Sequence, residues 1–154
     1  WETSGLIVLA RDRDSHRELS RQFHDREVDK RYIALCWGTF AQSEGRVELP
    51  LRYDPATKPR HVVDHEQGKS ALTLWTVLQQ HSDHCRVELT PYTGRSHQLR
   101  VHMLAMGHPI LGDGLYAHEQ ALQAAPRLCL HSNVLNFTHP HTQERLAFTS
   151  PAPF

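Results

Sequence analysis

The sequence predicts an α+β domain, a mixed, mainly antiparallel β-sheet with flanking helices. Three observations carry this. Short apolar or alternating segments recur at residues 6–9, 32–37, 72–78, 86–89, 128–131, 134–137 and 146–149. Many of the connections between them are turns too short for the helical crossovers that parallel strands require. Helical spacing is confined to residues 15–27 and to the stretch that follows Thr93, so strands outnumber helices.

Taken in order, residues 6–9 form a continuous apolar run after Gly5 and read as a buried strand. Ser15-His-Arg-Glu18 has capping-box spacing ahead of the i,i+4 pair Leu19 and Phe23, which predicts a helix over residues 15–27. Residues 32–37 set Tyr32, Ala34 and Cys36 against Ile33, Leu35 and Trp37, a strand with both faces partly buried. Residues 50–60 combine Pro50, Pro55 and Pro59 with Arg52, Lys58 and Arg60, and read as an exposed loop with local positive charge. Two further strands, 72–78 and 86–89, bracket a polar turn at 79–84.

Thr93-Gly-Arg-Ser96 then leads into a helix. Ser96 is the expected N-cap, Leu99, Met103 and Met106 the apolar stripe, and Gly107 with Pro109 the stop. Strands at 128–131, 134–137 and 146–149 complete the sheet. Trp1, Trp37 and Trp75 are expected in the core.

Composition narrows the class. The chain has 154 residues, 39% of them hydrophobic, which is one domain with a sizeable core. No apolar run approaches the roughly 20 residues that span a bilayer. Cys36, Cys85 and Cys129 are odd in number and far apart, which excludes a disulfide framework or paired zinc ligands and points to the reducing cytoplasm. Charge is balanced, 17 basic residues against 17 acidic, so contact with nucleic acid has to be local. Lys30, Lys58 and Lys69 are the only lysines, and the other 14 basic residues are arginine, which forks onto phosphates and stacks on bases.

The densest chemistry lies in Gly94-Arg-Ser-His-Gln-Leu-Arg-Val-His102. Arg95, His97, Gln98, Arg100 and His102 crowd the opening of a helix, where free N–H groups and the helix dipole favour an anion. The 13 histidines raise the possibility of a metal, but His61/His65, His81/His84, His97/His102 and His139/His141 all lack H-E-x-x-H spacing.

Gly94-Arg-Ser-His-Gln-Leu-Arg100 resembles the G-R-x-H-Q-(L/I)-R motif of the RluA family of RNA pseudouridine synthases. Asp29-Lys-Arg-Tyr32 is similar to that family's K-x-Y element. Thr3-Ser-Gly5 matches the end of its H-R-L-D-x-x-T-S-G motif. His108-Pro-Ile-Leu-Gly-Asp113 with Tyr116 resembles its G-H-P-(I/L)-x-G-D-x-x-Y segment, and residues 128–131 resemble its R-L-x-L-H strand. The elements occur in family order and cover almost the whole chain.

The resemblance implies that residues 1–154 are a pseudouridine synthase-like catalytic domain truncated at its N-terminus. The nucleophilic aspartate is expected immediately before Trp1, and the chain alone is expected to be inactive, with Arg100 facing a vacant position. Pseudouridine formation breaks the C1′–N1 glycosidic bond, turns the uracil and joins C1′ to C5. The base must leave its stack and enter a pocket.

On this reading Tyr32 and Arg100 are catalytic. Tyr32 stacks on the extruded base and takes part in proton removal at C5, and Arg100 orients the aspartate. Arg95, His97, Gln98, His102, Arg52, Lys58 and Arg60 are the expected RNA-binding residues. The partner is structured ribosomal or transfer RNA, and the enzyme is a cytoplasmic monomer with no cofactor, no metal and no membrane contact. Two rivals stand beside it: a catalytically silent RNA-binding module of the same fold, and a His-rich metal-dependent hydrolase.

Overall fold

The computed structural model describes residues 2–154. The elements are β1 (Ser4–Gly5), α1 (Arg13–His24), β2 (Asp29–Trp37), β3 (Glu44–Glu48), β4 (Leu51–Tyr53), a 3-10 turn (Pro55–Thr57), β5 (His61–Val63), β6 (Leu72–Gln80), β7 (His84–Pro91), α2 (Gln98–Ala105), α3 (Glu119–Gln123), β8 (Leu130–Thr138) and β9 (Arg145–Thr149). One seven-stranded sheet runs β1-β8-β2-β7-β6-β3, with β9 also on β8, and β4 and β5 form a separate hairpin. Among the described residues, only the β1–β8 pairing of the large sheet is parallel. This is the expected mixed, mainly antiparallel α+β architecture.

Strand β8 organises one side of that sheet. Its first part takes β1 on one edge, through Ser4 opposite His131, and its second part takes β9 on the same edge, from Val134 to Thr138. The other edge faces β2, where the register jumps between Arg31 and Tyr32. The segments expected as two strands, 128–131 and 134–137, are therefore one strand with a bulge at Asn133. Gly5 closes the β1 contact at φ 97°, where an added Cβ would lie 2.2 Å from the Ser132 carbonyl oxygen. Only glycine fits there.

Ala34, Cys36, Cys85, Val87, Leu89, Met103 and Ile110 form the fully enclosed centre between the sheet and α2. Trp75 is buried and Trp37 half-buried against the same cluster, whereas Trp1 lies outside the described residues. A second cluster joins Leu19 of α1 to Val28, Leu135 and Phe137.

Several local expectations are corrected. Residues 6–9 are not a strand: the Leu6 N–H makes one last bond to Ser132, then Leu6 and Val8 pack inward while Ile7 and Leu9 are exposed. Helix α1 is capped by Asp12, which accepts the Ser15 N–H at 2.8 Å, so Ser15 is inside the helix and not its cap. Leu19 is buried, but its expected stripe partner Phe23 is exposed. Gln22 takes the inner position, bonded to both the N–H and C=O of Thr138.

The helix ends at His24 rather than residue 27. Glu27 N–H reaches back to Gln22 C=O across Arg26, the turn that normally places glycine at this left-handed position. Here Arg26 holds φ 62°, a conformation that costs a non-glycine residue about 1–2 kcal/mol. The expected loop at 50–60 is instead the β4 arm and the 3-10 turn that leads into β5.

Candidate active site

Strand β2 delivers Tyr32 from the middle of the sheet, paired with Leu89 on β7 and Ser132 on β8. The ring is half-buried against the main core. Burial pushes its phenol above the ordinary pKa, with the Ser132 side chain opposing the shift. Tyr32 is thus a protonated hydroxyl at neutral pH. Two residues earlier, Lys30 is also partly buried, and desolvation lowers its pKa. Its Nζ stands 5.8 Å from the Phe23 ring centroid and 3.6 Å from where a Cβ on Gly94 would sit. The G-R-S-H turn therefore lies directly against the strand that carries Tyr32.

Helix α2 starts differently from the sequence expectation. Its N-cap is His97, in the left-handed region at φ 55° and without a side-chain cap bond, so Ser96 is not the cap. Gln98 stabilises the turn from inside. Its Oε1 accepts the Thr93 hydroxyl at 2.7 Å and the Arg95 N–H at 3.0 Å, and its Nε2 donates to Leu72 C=O and to Thr73 Oγ1. Thr73 in turn meets His102 Nδ1 at 2.9 Å, and His102 Nε2 meets Leu49 C=O at 3.0 Å. A carbonyl can only accept, so His102 carries its proton on Nε2 and takes the Thr73 hydroxyl proton on Nδ1.

Gln98 and His102 are therefore corrected as RNA contacts. Both are buried and their polar atoms are committed within the protein. They fix the helix that carries Arg100.

Arg100 is 7% exposed and forks onto Asp113, with Nε–Oδ2 at 2.8 Å and Nη2–Oδ1 at 2.5 Å. The expectation that it faces a vacant position is corrected by this partner. Burial alone would lower its pKa, but the Asp113 carboxylate overcomes that and raises it. Asp113 is fully enclosed, and its Oδ1 also accepts the N–H groups of Leu115 and Tyr116. Nη2 of Arg100 extends further, to the Glu2 carboxylate at 3.2 Å. The guanidinium also lies over the Tyr116 ring, 5.1 Å from its centroid.

Tyr116 closes the arrangement. Its hydroxyl accepts the His61 N–H at 2.8 Å and lies 2.7 Å from His97 Nδ1. Desolvation, followed by the nearby Arg100 charge, lowers the His97 pKa. The strained His97 backbone thus aims its ring at the tyrosine behind Arg100.

The other predicted residues spread outward. Arg95 is exposed, with Nε donating to Ser70 C=O at 3.1 Å. Arg52 is held by Asp64, with Nε–Oδ2 at 2.5 Å, which drops the Asp64 pKa to about 2. Lys58 and Arg60 are exposed and have no ion pair among the described residues. Sequence reasoning gave no role to Glu2, Asp113, Tyr116 or Lys30. Asp113 and Tyr116 were visible as motif letters, but nothing in their spacing showed that they converge on Arg100. Among the described residues no three His, Cys, Asp or Glu side chains converge as a metal-ligand set.

The site thus sets a half-buried tyrosine on β2 and, on α2, a buried arginine clamped by Asp113 that reaches Glu2 near the start of the chain. A family model for RNA pseudouridylate synthase matches residues 1–105. The chain belongs to the RNA pseudouridylate synthase family.

It is 54% identical over 153 residues to the dual-specificity RNA pseudouridine synthase RluA of Pasteurella multocida (strain Pm70), covering 99% of this chain and 70% of that protein. Identity to the protein of the same name from Escherichia coli (strain K12) is 50%, with the same coverage. Among solved structures, human RNA pseudouridylate synthase domain containing 1 superposes with TM-score 0.86 at 30% identity, over 99% of this chain and 66% of that one. Human RNA pseudouridylate synthase domain containing 4 gives TM-score 0.78 at 27% identity, over 99% and 68%.

Proposed function

We propose that this chain supplies the base-binding and charge-orienting half of a site that isomerises uridine to pseudouridine in structured RNA, ribosomal and transfer RNA both. One observation carries the reading. Arg100, clamped by Asp113, extends Nη2 to Glu2, and Glu2 lies two residues after the position the family motif gives to its aspartate. The reading makes an aspartate there the partner of a guanidinium that is already oriented and charged.

In the reaction, the C1′–N1 bond breaks and uracil stays in the pocket. The base rotates, C5 joins C1′, and the C5 proton leaves while N1 regains one. Atoms and electrons balance without a cofactor. Tyr32 stacks on the uracil and places its hydroxyl at the C5 side. Arg100 keeps the aspartate ionised. Asp113 is not that aspartate, because both of its oxygens are engaged and no surface of it is exposed. Lys58, Arg60, Arg95 and His97 hold RNA around this centre. The same reading makes the protein a cytoplasmic monomer, in keeping with its three buried, unbonded cysteines.

The experiment is direct. Ribosomal and transfer RNA lacking pseudouridine are incubated with the chain carrying aspartate immediately before Trp1, and pseudouridine is mapped by carbodiimide adducts that stop reverse transcription. Discrete new stops in both RNAs support the reading. RNA binding without any stop reduces the protein to a silent RNA-binding module.

A further inference from the structure

A groove of about 430 Å³ is lined by Phe23, Arg26, Lys30, Arg31 and Tyr92 among others. Its size falls in the range of pockets that hold small organic groups, about 300–1,000 Å³. Three features of it go unused by the chemistry described above. Two aromatic side chains, Phe23 at 38% exposure and Tyr92 at 49%, are open to solvent. Each has a cation over it: Arg26 Cζ is 5.6 Å from the Tyr92 centroid, and Lys30 Nζ is 5.8 Å from that of Phe23. Arg26 itself occupies a left-handed position where glycine would sit without strain. Backbone strain retained at an exposed arginine is a pointer to use.

The charge balance of the groove favours an anion. Its acidic member, Asp29, is taken by Arg145 at 2.9 Å. Glu88, partly buried, lies 3.9 Å from the exposed Arg31, a loose contact that a phosphate can displace. The groove also neighbours the Tyr32 strand: Lys30 stands two residues from Tyr32 on β2, and its Nζ is 3.6 Å from where a Cβ on Gly94 would sit. Aromatic faces interleaved with arginines suit unpaired RNA, whose bases stack while the cations follow the backbone.

We propose that this groove seats an unpaired nucleotide beside the target uridine, its base against Tyr92 and its phosphate on Arg26 and Arg31. The inference rests on the proposed action on RNA and adds to it a site for the flanking strand. Tyr92 then sets a preference for targets in loops, because a base-paired neighbour cannot turn into the groove.

The test is binding of a short oligouridylate, with blunt RNA duplex as control, across a salt series. Tyr92→Ala should weaken oligouridylate binding about tenfold at unchanged salt slope, the loss of one stacked base, and Tyr92→Phe should restore it. Arg26→Gly relieves backbone strain, so its melting temperature should hold or rise. Its binding should nevertheless fall, with the slope of log K against log salt flattening by about 0.7 for one lost single-strand phosphate. Wild-type binding with both variants unchanged overturns the groove alone, as does equal weakening on the duplex. Failure of the unaltered chain to bind any RNA overturns the proposed function itself.

Discussion

Arg100 and Asp113 form a two-point ion pair in the interior, with Nε–Oδ2 at 2.8 Å and Nη2–Oδ1 at 2.5 Å, and the aspartate has no exposed surface. A pair so enclosed is uneven in its consequences. Removing one member strands the other charge, which costs about 3–5 kcal/mol. Asp113→Ala should therefore lower the unfolding free energy measured by urea titration by an amount of that size. Glu2→Ala, at the exposed end of the same guanidinium, should change it by less than about 1 kcal/mol. Equal effects would show that Asp113 does not anchor Arg100.

Tyr32 and Arg100 make separable predictions in a chain that carries the upstream aspartate. Tyr32→Phe keeps the stacking ring and loses the hydroxyl, so RNA affinity should hold while turnover falls at least a hundredfold. Arg100→Lys keeps the charge but loses the fork, and should lose turnover with little change in RNA affinity. Single-turnover rates with direct binding measurements separate the two effects. Near wild-type rates in both variants would remove these roles.

Stability should depend on pH through His97 and His102. Desolvation is the first cause of the lowered pKa in both. For His102, protonating Nδ1 would also set its new N–H against the Thr73 hydroxyl proton. The folded chain thus resists protons that the unfolded chain accepts near the ordinary value of 6.5. Stability is full above that value and declines as pH falls through it toward the folded values. Melting curves from pH 8 to 5 should show this decline, and His102→Gln should show a shallower one. A pH-independent melting temperature over that range would contradict the assignment.

The basic loop predicts a graded salt response. Arg52 is already held by Asp64, whereas Lys58 and Arg60 are open to solvent. Neutralising Lys58 and Arg60 together should flatten the salt slope by up to about two units, if each meets one phosphate. Adding Arg52→Gln should change it little further. A full extra unit from Arg52 would mean that RNA displaces Asp64.

The parts of this fold legible in the sequence are those set by local pattern. Alternation at residues 32–37 and 72–78 marked β2 and β6, and the Leu99/Met103 stripe with Gly107 marked α2. Tyr32 and Arg100 were singled out through the family motifs they stand in. What stayed hidden depends on pairing between distant segments. Gln98 and His102 look like ligand-binding side chains in a linear reading. They are inward posts only because Leu72, Thr73 and Leu49 arrive from β6 and the end of β3. Residues 6–9 read as a strand because they are apolar, yet they have no ladder partner once β9 occupies the β8 edge beyond β1. The Asp12 cap was masked by a better-looking Ser15-x-x-Glu18 box. The two bonds that Ser15 makes to Asp12 show why the serine serves the cap without being it.

The central claim, that Tyr32 and Arg100 serve uridine isomerisation once an aspartate stands before Trp1, is tested most directly by tritium release. Ribosomal and transfer RNA labelled at C5 of uridine would be incubated with a chain preceded by His-Arg-Leu-Asp and with the 154-residue chain. Each C5 proton lost reports one C5–C1′ bond formed. The account predicts multiple-turnover release from both RNAs by the extended chain, cut at least a hundredfold by Tyr32→Phe, and none from the chain that begins at Trp1. Turnover by the 154-residue chain, or RNA binding without release by the extended one, would contradict it.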